Sequence, residues 1–437
     1  MTPQQHRFLL ILLALAMVVL SYWVHQDAFG RIALCYSVAF CAYLYAGVRA
    51  PRSFDSHSKL NLLVKLVLVV ALPLGSDDIY RFYWDGWCVL EHISPYRYLP
   101  QDLPGRADYD WATIYPLLNS PHYYSVYPPI LQVIFAFCAW ISAQSIHLFS
   151  ICWKLILLIA DLGTIYLLKK SLPDDKQNLV WWYAWNPLIL YEILANGHSE
   201  GLMLYFIIAA IYWLQRSKFF FSAVMFAISA AVKLFPIILL PFVFKYLGYK
   251  KGLPYVLIVI MLFSISMLAV FPYYDHFLAS VRLYMSSFEF NGSVFELWKA
   301  IDYQRFGFDN IGHIGRYLST ASIIWLIVIF LRQKSHDWDS ILSSILLLWT
   351  GYLLLSTTVH PWYVLPLILL GVLRRWVWPI AWSGLIMLSY SWYDPGISKA
   401  WKYALIGLEY GGLLTFYLSG RYGWLRFDRW GGEEKPD

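Results

Sequence analysis

Apolar runs separated by short polar stretches occupy this chain from end to end, at residues 8–24, 32–48, 60–75, 128–142, 146–168 and onward. A complete run is about 17–25 residues, the length at which a helix crosses the hydrocarbon core of a bilayer. The pattern predicts an all-α fold, a polytopic transmembrane helical bundle of about 12–14 membrane helices. Two runs need separate treatment. Residues 128–142 leave no room for a full crossing before the next run, which predicts a partial or re-entrant helix. Residues 219–244 are interrupted by Lys233 and Pro236, which predicts two helices rather than one. The first run follows Arg7 without a small-residue cleavage site and reads as a retained helix.

The polar stretches differ in length and sign. Most are short and basic: Arg49, Arg52 and Lys59; Lys169, Lys170 and Lys176; Arg216 and Lys218; Lys245, Lys250 and Lys251; Arg332 and Lys334; Arg374 and Arg375; Arg421, Arg426 and Arg429. This positive-inside distribution accounts for the net charge of +6 and calls for no nucleic acid partner. It puts the N-terminus in the cytosol and residues 76–126 and 271–313 outside, as two long outer loops on one integral membrane domain, 1–437. Composition agrees with lipid as the solvent. Only 14% of the 437 residues are charged, against about a quarter in soluble proteins. The five cysteines form no CxxC or His/Cys cluster, so neither a disulfide framework nor structural zinc is supported. No GxGxxG or GxxxxGK[ST] signature and no internal repeat is present.

Candidate chemistry gathers in the outer stretches. In "LPLGSDDIYRFYWDGW" the acids Asp77 and Asp78 follow Ser76, a good helix N-cap, and open a segment with helical character. Ile79, Phe82 or Tyr83, and Leu90 would lie on the membrane surface. Arg81 falls among Asp77, Asp78 and Asp85 at helical spacing. The acids can simply favour a positive helix end; alternatively one is a general base beside a second carboxylate. In "WNPLILYEILANGHSEGLML", Asn196, His198 and Glu200 interrupt an apolar pattern, either as an ordinary connection or as ligands of a polar substrate. Lys233 in "AISAAVKLFPIILLPF" either snorkels to an interface or lines a cavity where it meets an anion such as a lipid phosphate. Asn291 sits in an Asn-Gly pair, a common turn. His360 opens "HPWYVLPL", beside Trp362, which reads as part of an interfacial aromatic belt. Aromatics crowd the first outer loop (Tyr80, Tyr83, Trp84, Tyr96, Tyr98, Trp111, Tyr123, Tyr124, Tyr127), and their flat rings suit sugars as well as head groups.

The ordered set "SDDIYRFYWDGWCVLEHISPYRYLP", "YSVYPPILQVIFA", "WNPLILYEILANGHSEGLML", "AAVKLFPIILLP", "FEFNGSVFELW" and "TTVHPWYVLPL" resembles bacterial polyprenyl-phosphate-mannose-dependent mannosyltransferases, within the C-type (GT-C) glycosyltransferase superfamily. The similarity spans residues 76 to about 370. It implies a multi-pass protein of the bacterial cytoplasmic membrane with an outward-facing, periplasmic site. It further implies a hexose donor, mannose on polyprenyl phosphate, a glycan or glycolipid acceptor, and inversion by a carboxylate base in the first outer loop. That base is Asp77 or Asp78. The resemblance favours Asp78, two residues before Tyr80, with Asp77 orienting the acceptor or tuning the base. Lys233, with Arg81 as the alternative, would take up charge on the leaving phosphate. Asn196, His198, Glu200, His360, Tyr80, Tyr127 and Asn291 would hold sugar or acceptor. A divalent cation can also bridge a carboxylate pair, but no further oxygen ligands stand at a suitable spacing. Two other classes stay open at this point: a transporter or flippase of lipid-linked sugars, which also uses broken helices, and a structural membrane scaffold.

Overall fold

The apolar runs fold as helices and almost nothing else. The structure, a computed structural model, describes residues 2–48, 57–103, 111–286, 288–308 and 310–421. Arg49, Arg52, Arg426, Arg429 and residues 104–110 of the first outer loop lie outside them, as does the Trp111 side chain. The protein is all-helical, 79% of it in helices, and the described residues form no strand, only isolated bridges from Thr358 to Phe290 and Asn291. Among the described residues, five helices are long and apolar enough to cross a membrane: Pro3–Trp23, Phe29–Val48, Ile146–Ser171, Phe235–Ser266 and Ile311–Arg332. The broken pair Pro187–Ala195 and Glu200–Gln215 makes a sixth if it counts as one span. Four shorter apolar helices accompany them.

In chain order the main helices are α1 (Pro3–Trp23), α2 (Phe29–Val48), α3 (Ser58–Val70), α4 (Asp78–Leu90), α5 (Pro129–Ser142), α6 (Ile146–Ser171), α7 (Glu200–Gln215), α8 (Phe219–Val232), α9 (Leu240–Ser266), α10 (Tyr274–Ser286), α11 (Ser293–Phe306), α12 (Ile311–Arg332), α13 (Trp338–Leu354), α14 (Leu365–Arg374), α15 (Trp378–Leu385) and α16 (Lys399–Arg421). They fall into two compact units. One comprises Met1–Leu68, Ile165–Glu192 and Ser286–Asp437; the other comprises Val69–Thr164 and Ile193–Met285. Residues 76–126 belong wholly to the second, whereas 271–313 divides between the two.

Within the first unit, side chains repair what proline breaks. Pro187 separates the short helices Trp181–Ala184 and Pro187–Ile189, freeing backbone carbonyls in an apolar setting. Tyr43 donates to the Trp182 carbonyl at 2.7 Å, and Asn61 Nδ2 to the Ala184 carbonyl at 2.9 Å. Asn186 caps its own helix through the Leu188 amide and donates to Ser383 Oγ.

Within the second unit, α4 lies against α5. Phe82 stacks on Phe135 with ring centres 4.7 Å apart, and Gly86 meets the Phe135 backbone so closely that a Cβ there would sit 2.5 Å from its carbonyl oxygen. Ile79, Phe82 and Tyr83 are therefore buried in protein, not spread on a membrane surface. The helix of the third apolar run also ends earlier than the run itself, at Val70, three residues before Pro73. The predicted interruption at Lys233 is present. Helix α8 stops at Val232, Lys233 is extended (φ −140°, ψ 134°), and Pro236 sits in a 3₁₀ turn, Phe235–Leu239, before α9. A second break lies inside α9, where Gly248 takes φ 68°, so the basic residues Lys245, Lys250 and Lys251 flank a bend.

Candidate active site

The site begins where α4 begins. The N-cap is Asp77 rather than Ser76, but Ser76 Oγ accepts the Asp78 amide at 3.3 Å, so the serine still serves the helix end. Asp78 thus occupies the first turn with its side chain 21% exposed. Its Oδ1 accepts from Asn119 Nδ2 at 2.7 Å, and its Oδ2 faces His198 Nε2 at 3.9 Å. Beside it, burial first and then the Asp77 carboxylate raise the Tyr80 hydroxyl above its usual range.

His198 reaches Asp78 because the chain abandons the helix there. A π-helical turn, Leu190–Ala195, gives way at Asn196, and Gly197 takes φ 80°, a conformation glycine adopts without strain. The freed carbonyls are met from α6. Trp153 Nε1 donates to Gly197 O at 2.6 Å; Lys154 Nζ donates to Ala195 O at 3.1 Å and also to Ala71 O. Asn196 and His198 are both buried. Glu200 then starts α7, and its Oε1 lies 2.9 Å from Lys233 Nζ. The other oxygen of Glu200 is buried with no hydrogen-bond partner among the described residues. Lys233 keeps 27% of its side chain exposed, and its ammonium stands 5.8 Å from the Tyr127 ring centre.

Arg81 has a different task. Its Nε donates to Asp85 Oδ1 at 2.8 Å, and its Nη1 donates to Ser120 O, Ser120 Oγ and Tyr123 O. Asp85 Oδ2 in turn accepts from Ser125 Oγ at 2.5 Å and Gln132 Nε2 at 2.9 Å. The guanidinium is buried in this network, so of the two cations considered for a phosphate, Lys233 is the accessible one.

Residues 5–248 match a family model described as Alpha-(1->6)-mannopyranosyltransferase, N-terminal domain. The chain belongs to this mannosyltransferase family. No curated protein matches it. The matched segment of this membrane mannosyltransferase holds Asp77, Asp78, Asn119, His198, Glu200 and Lys233, and leaves out Asn291 and His360.

Those last two residues lie in the first unit, in a cluster of their own. Asn291 adopts φ 53°, donates through Nδ2 to Glu409 Oε2 at 3.0 Å, and accepts the Tyr410 hydroxyl on its carbonyl. His360 stacks between Phe290, at 4.4 Å, and Trp362, at 4.3 Å. Trp362 is buried against this histidine, not placed in an exposed aromatic belt. Among the described residues no three His, Cys, Asp or Glu side chains converge as a metal cage. Asn119 and Lys154 were missed in the sequence. Lys154 carried a usable signal, a lysine inside "FSICWKLILLIA"; Asn119, in a polar loop, carried none.

Proposed function

We propose that this mannosyltransferase moves a mannosyl group from a polyprenyl-phosphate donor to a hydroxyl of a glycan or glycolipid on the outer face of the cytoplasmic membrane, inverting the anomeric carbon, with Asp78 as general base. The observation that carries the reading is the state of the Asp78 carboxylate: one oxygen is held by Asn119, and the other looks across 3.9 Å to His198. In the proposed complex an acceptor hydroxyl oxygen about 2.8 Å from each atom bridges the two, donating to Asp78 Oδ2 while accepting from His198.

In the proposed step the acceptor hydroxyl gives its proton to Asp78 and its oxygen attacks C1 from the face opposite the phosphate. The C1–O bond to phosphate breaks, and the electron pair leaves with the lipid phosphate. Lys233 meets the charge that develops there, so no acid is needed to protonate the leaving oxygen. The Glu200 oxygen that has no hydrogen-bond partner among the described residues accepts a sugar hydroxyl. The basic short loops support an outward-facing site, and the family's description supports a 6-hydroxyl as the acceptor atom.

The test is turnover by purified protein of a short-chain polyprenyl-phosphate-[¹⁴C]mannose with a mannoside acceptor, followed by NMR of the product. Release of lipid phosphate with a new (1→6) bond of inverted configuration is expected. A retained configuration overturns the mechanism, and absence of donor consumption overturns the proposed donor.

A further inference from the structure

Asp78 needs more than proximity to be a base; its free oxygen must be aimed. We infer that Asn119 is the positioning residue that aims it, an inference that rests on the role proposed for Asp78. Asn119 contacts Asp78 across 41 positions of sequence, at 2.7 Å. Only an amide N–H can donate to the carboxylate, so Nδ2 fixes Oδ1 and leaves Oδ2 turned to the His198 side. Asn119 is exposed while Leu118 and Ser120 on either side are buried, so the loop presents this one carboxamide outward.

The loop itself is fastened to the helix that carries the base. Arg81, one helical turn after Asp78, donates to Ser120 O at 2.8 Å, Ser120 Oγ at 3.1 Å and Tyr123 O at 3.0 Å. Further along, the Ser125 amide donates to Pro95 O, and the Gln101 amide to Pro121 O. The residue following Asn119 is therefore pinned to α4, which holds the carboxamide in register with the carboxylate. This gives the buried Arg81–Asp85 pair, one and two turns along α4 from Asp78, a purpose for the chemistry there. It sets the distance between a loop residue and the base without touching either reacting atom.

The experiment compares Asn119→Ala and Asn119→Asp with the wild-type enzyme in the transfer assay, across pH, with donor and acceptor KM measured separately. Asn119→Ala should lower kcat about 10-fold or more with donor KM unchanged, because a misaimed base costs rate rather than donor binding. Asn119→Asp keeps the shape but sets a second carboxylate against Asp78 Oδ1. The acidic limb of its pH–rate profile should move up by about one pH unit. A purely structural role would not move that limb. An Asn119→Asp profile that coincides with wild type, or full kcat in Asn119→Ala, overturns the inference. Asp78→Asn is run alongside: full transfer by that variant would overturn the base assignment itself, whatever the Asn119 variants show.

Discussion

Two aspartates on α4 stand seven residues apart, about two helical turns, yet the protein treats them oppositely. Asp85 is fully enclosed and accepts from Arg81, Ser125 and Gln132. Asp78 is partly open and, among the described residues, accepts from the Asn119 side chain alone. A carboxylate with both oxygens engaged by donors cannot readily take a proton without disturbing its surroundings. A carboxylate held at one oxygen is steady and still available. Saturation, more than burial or charge, separates the structural acid from the chemical one.

The largest expected effect follows directly. Asp78→Asn should lower turnover about 10³-fold, within the span general-base removal produces, while detergent-extracted protein keeps its wild-type melting temperature. A variant that both melts early and loses activity would erase the contrast between the acids, since Asp78 would then be structural too. The next effect belongs to the other acid's partner. Arg81→Ala leaves Asp85 buried without its cation, a change that costs about 3–5 kcal/mol in enclosed pairs. It should appear as a lower melting temperature and poor accumulation. Unchanged stability would mean that the network does not hold the loop.

Lys233 sharpens the comparison because it is paired and open together. Lys233→Met should reduce kcat/KM about 10²-fold, the scale of losing one preorganised donor to developing charge. The same loss would arise if the lysine merely neutralised Glu200, so the decisive variant is Lys233→Met with Glu200→Gln. The double substitution removes the buried unpaired acid. If activity stays low and donor KM stays high, the ammonium meets the donor; recovery to near wild type assigns the lysine to Glu200 alone.

Some of these positions were legible in sequence for a physical reason: charge in an apolar run is costly, so His198, Glu200 and Lys233 stood out one by one, and the Asp77–Asp78 doublet stood where such a run stops, with only the resemblance favouring Asp78. Pro236 likewise announced the break that frees Lys233. What could not be read was pairing. Glu200 and Lys233 are 33 positions apart, and nothing local to either states that they meet. Nor could the sequence tell which apolar face of α4 met protein. Lipid and protein interiors are equally apolar, so Ile79, Phe82 and Tyr83 show the same periodicity on a membrane surface as against α5. Asn119 was invisible because an asparagine in a polar loop departs from no pattern.

The smallest effect concerns Tyr127, where the two readings of its ring diverge. The ring packs edge-on against Phe82 at 4.9 Å and Phe135 at 5.8 Å, while Lys233 Nζ lies 5.8 Å from its centre. Its backbone carbonyl accepts the Tyr96 hydroxyl at 2.6 Å, a bond that any side chain leaves intact. Tyr127→Phe retains the ring and should act as wild type. Tyr127→Leu removes the π face beside the ammonium, worth about 0.5–1 kcal/mol at a partly exposed site, or roughly two- to fivefold. If the ring steadies Lys233 for the donor phosphate, the change appears in donor KM with acceptor KM fixed. If the ring instead carries a sugar face, acceptor KM rises and donor KM stays. The aromatic side of the site then belongs to the acceptor, and Lys233 is positioned by Glu200 without help from the ring.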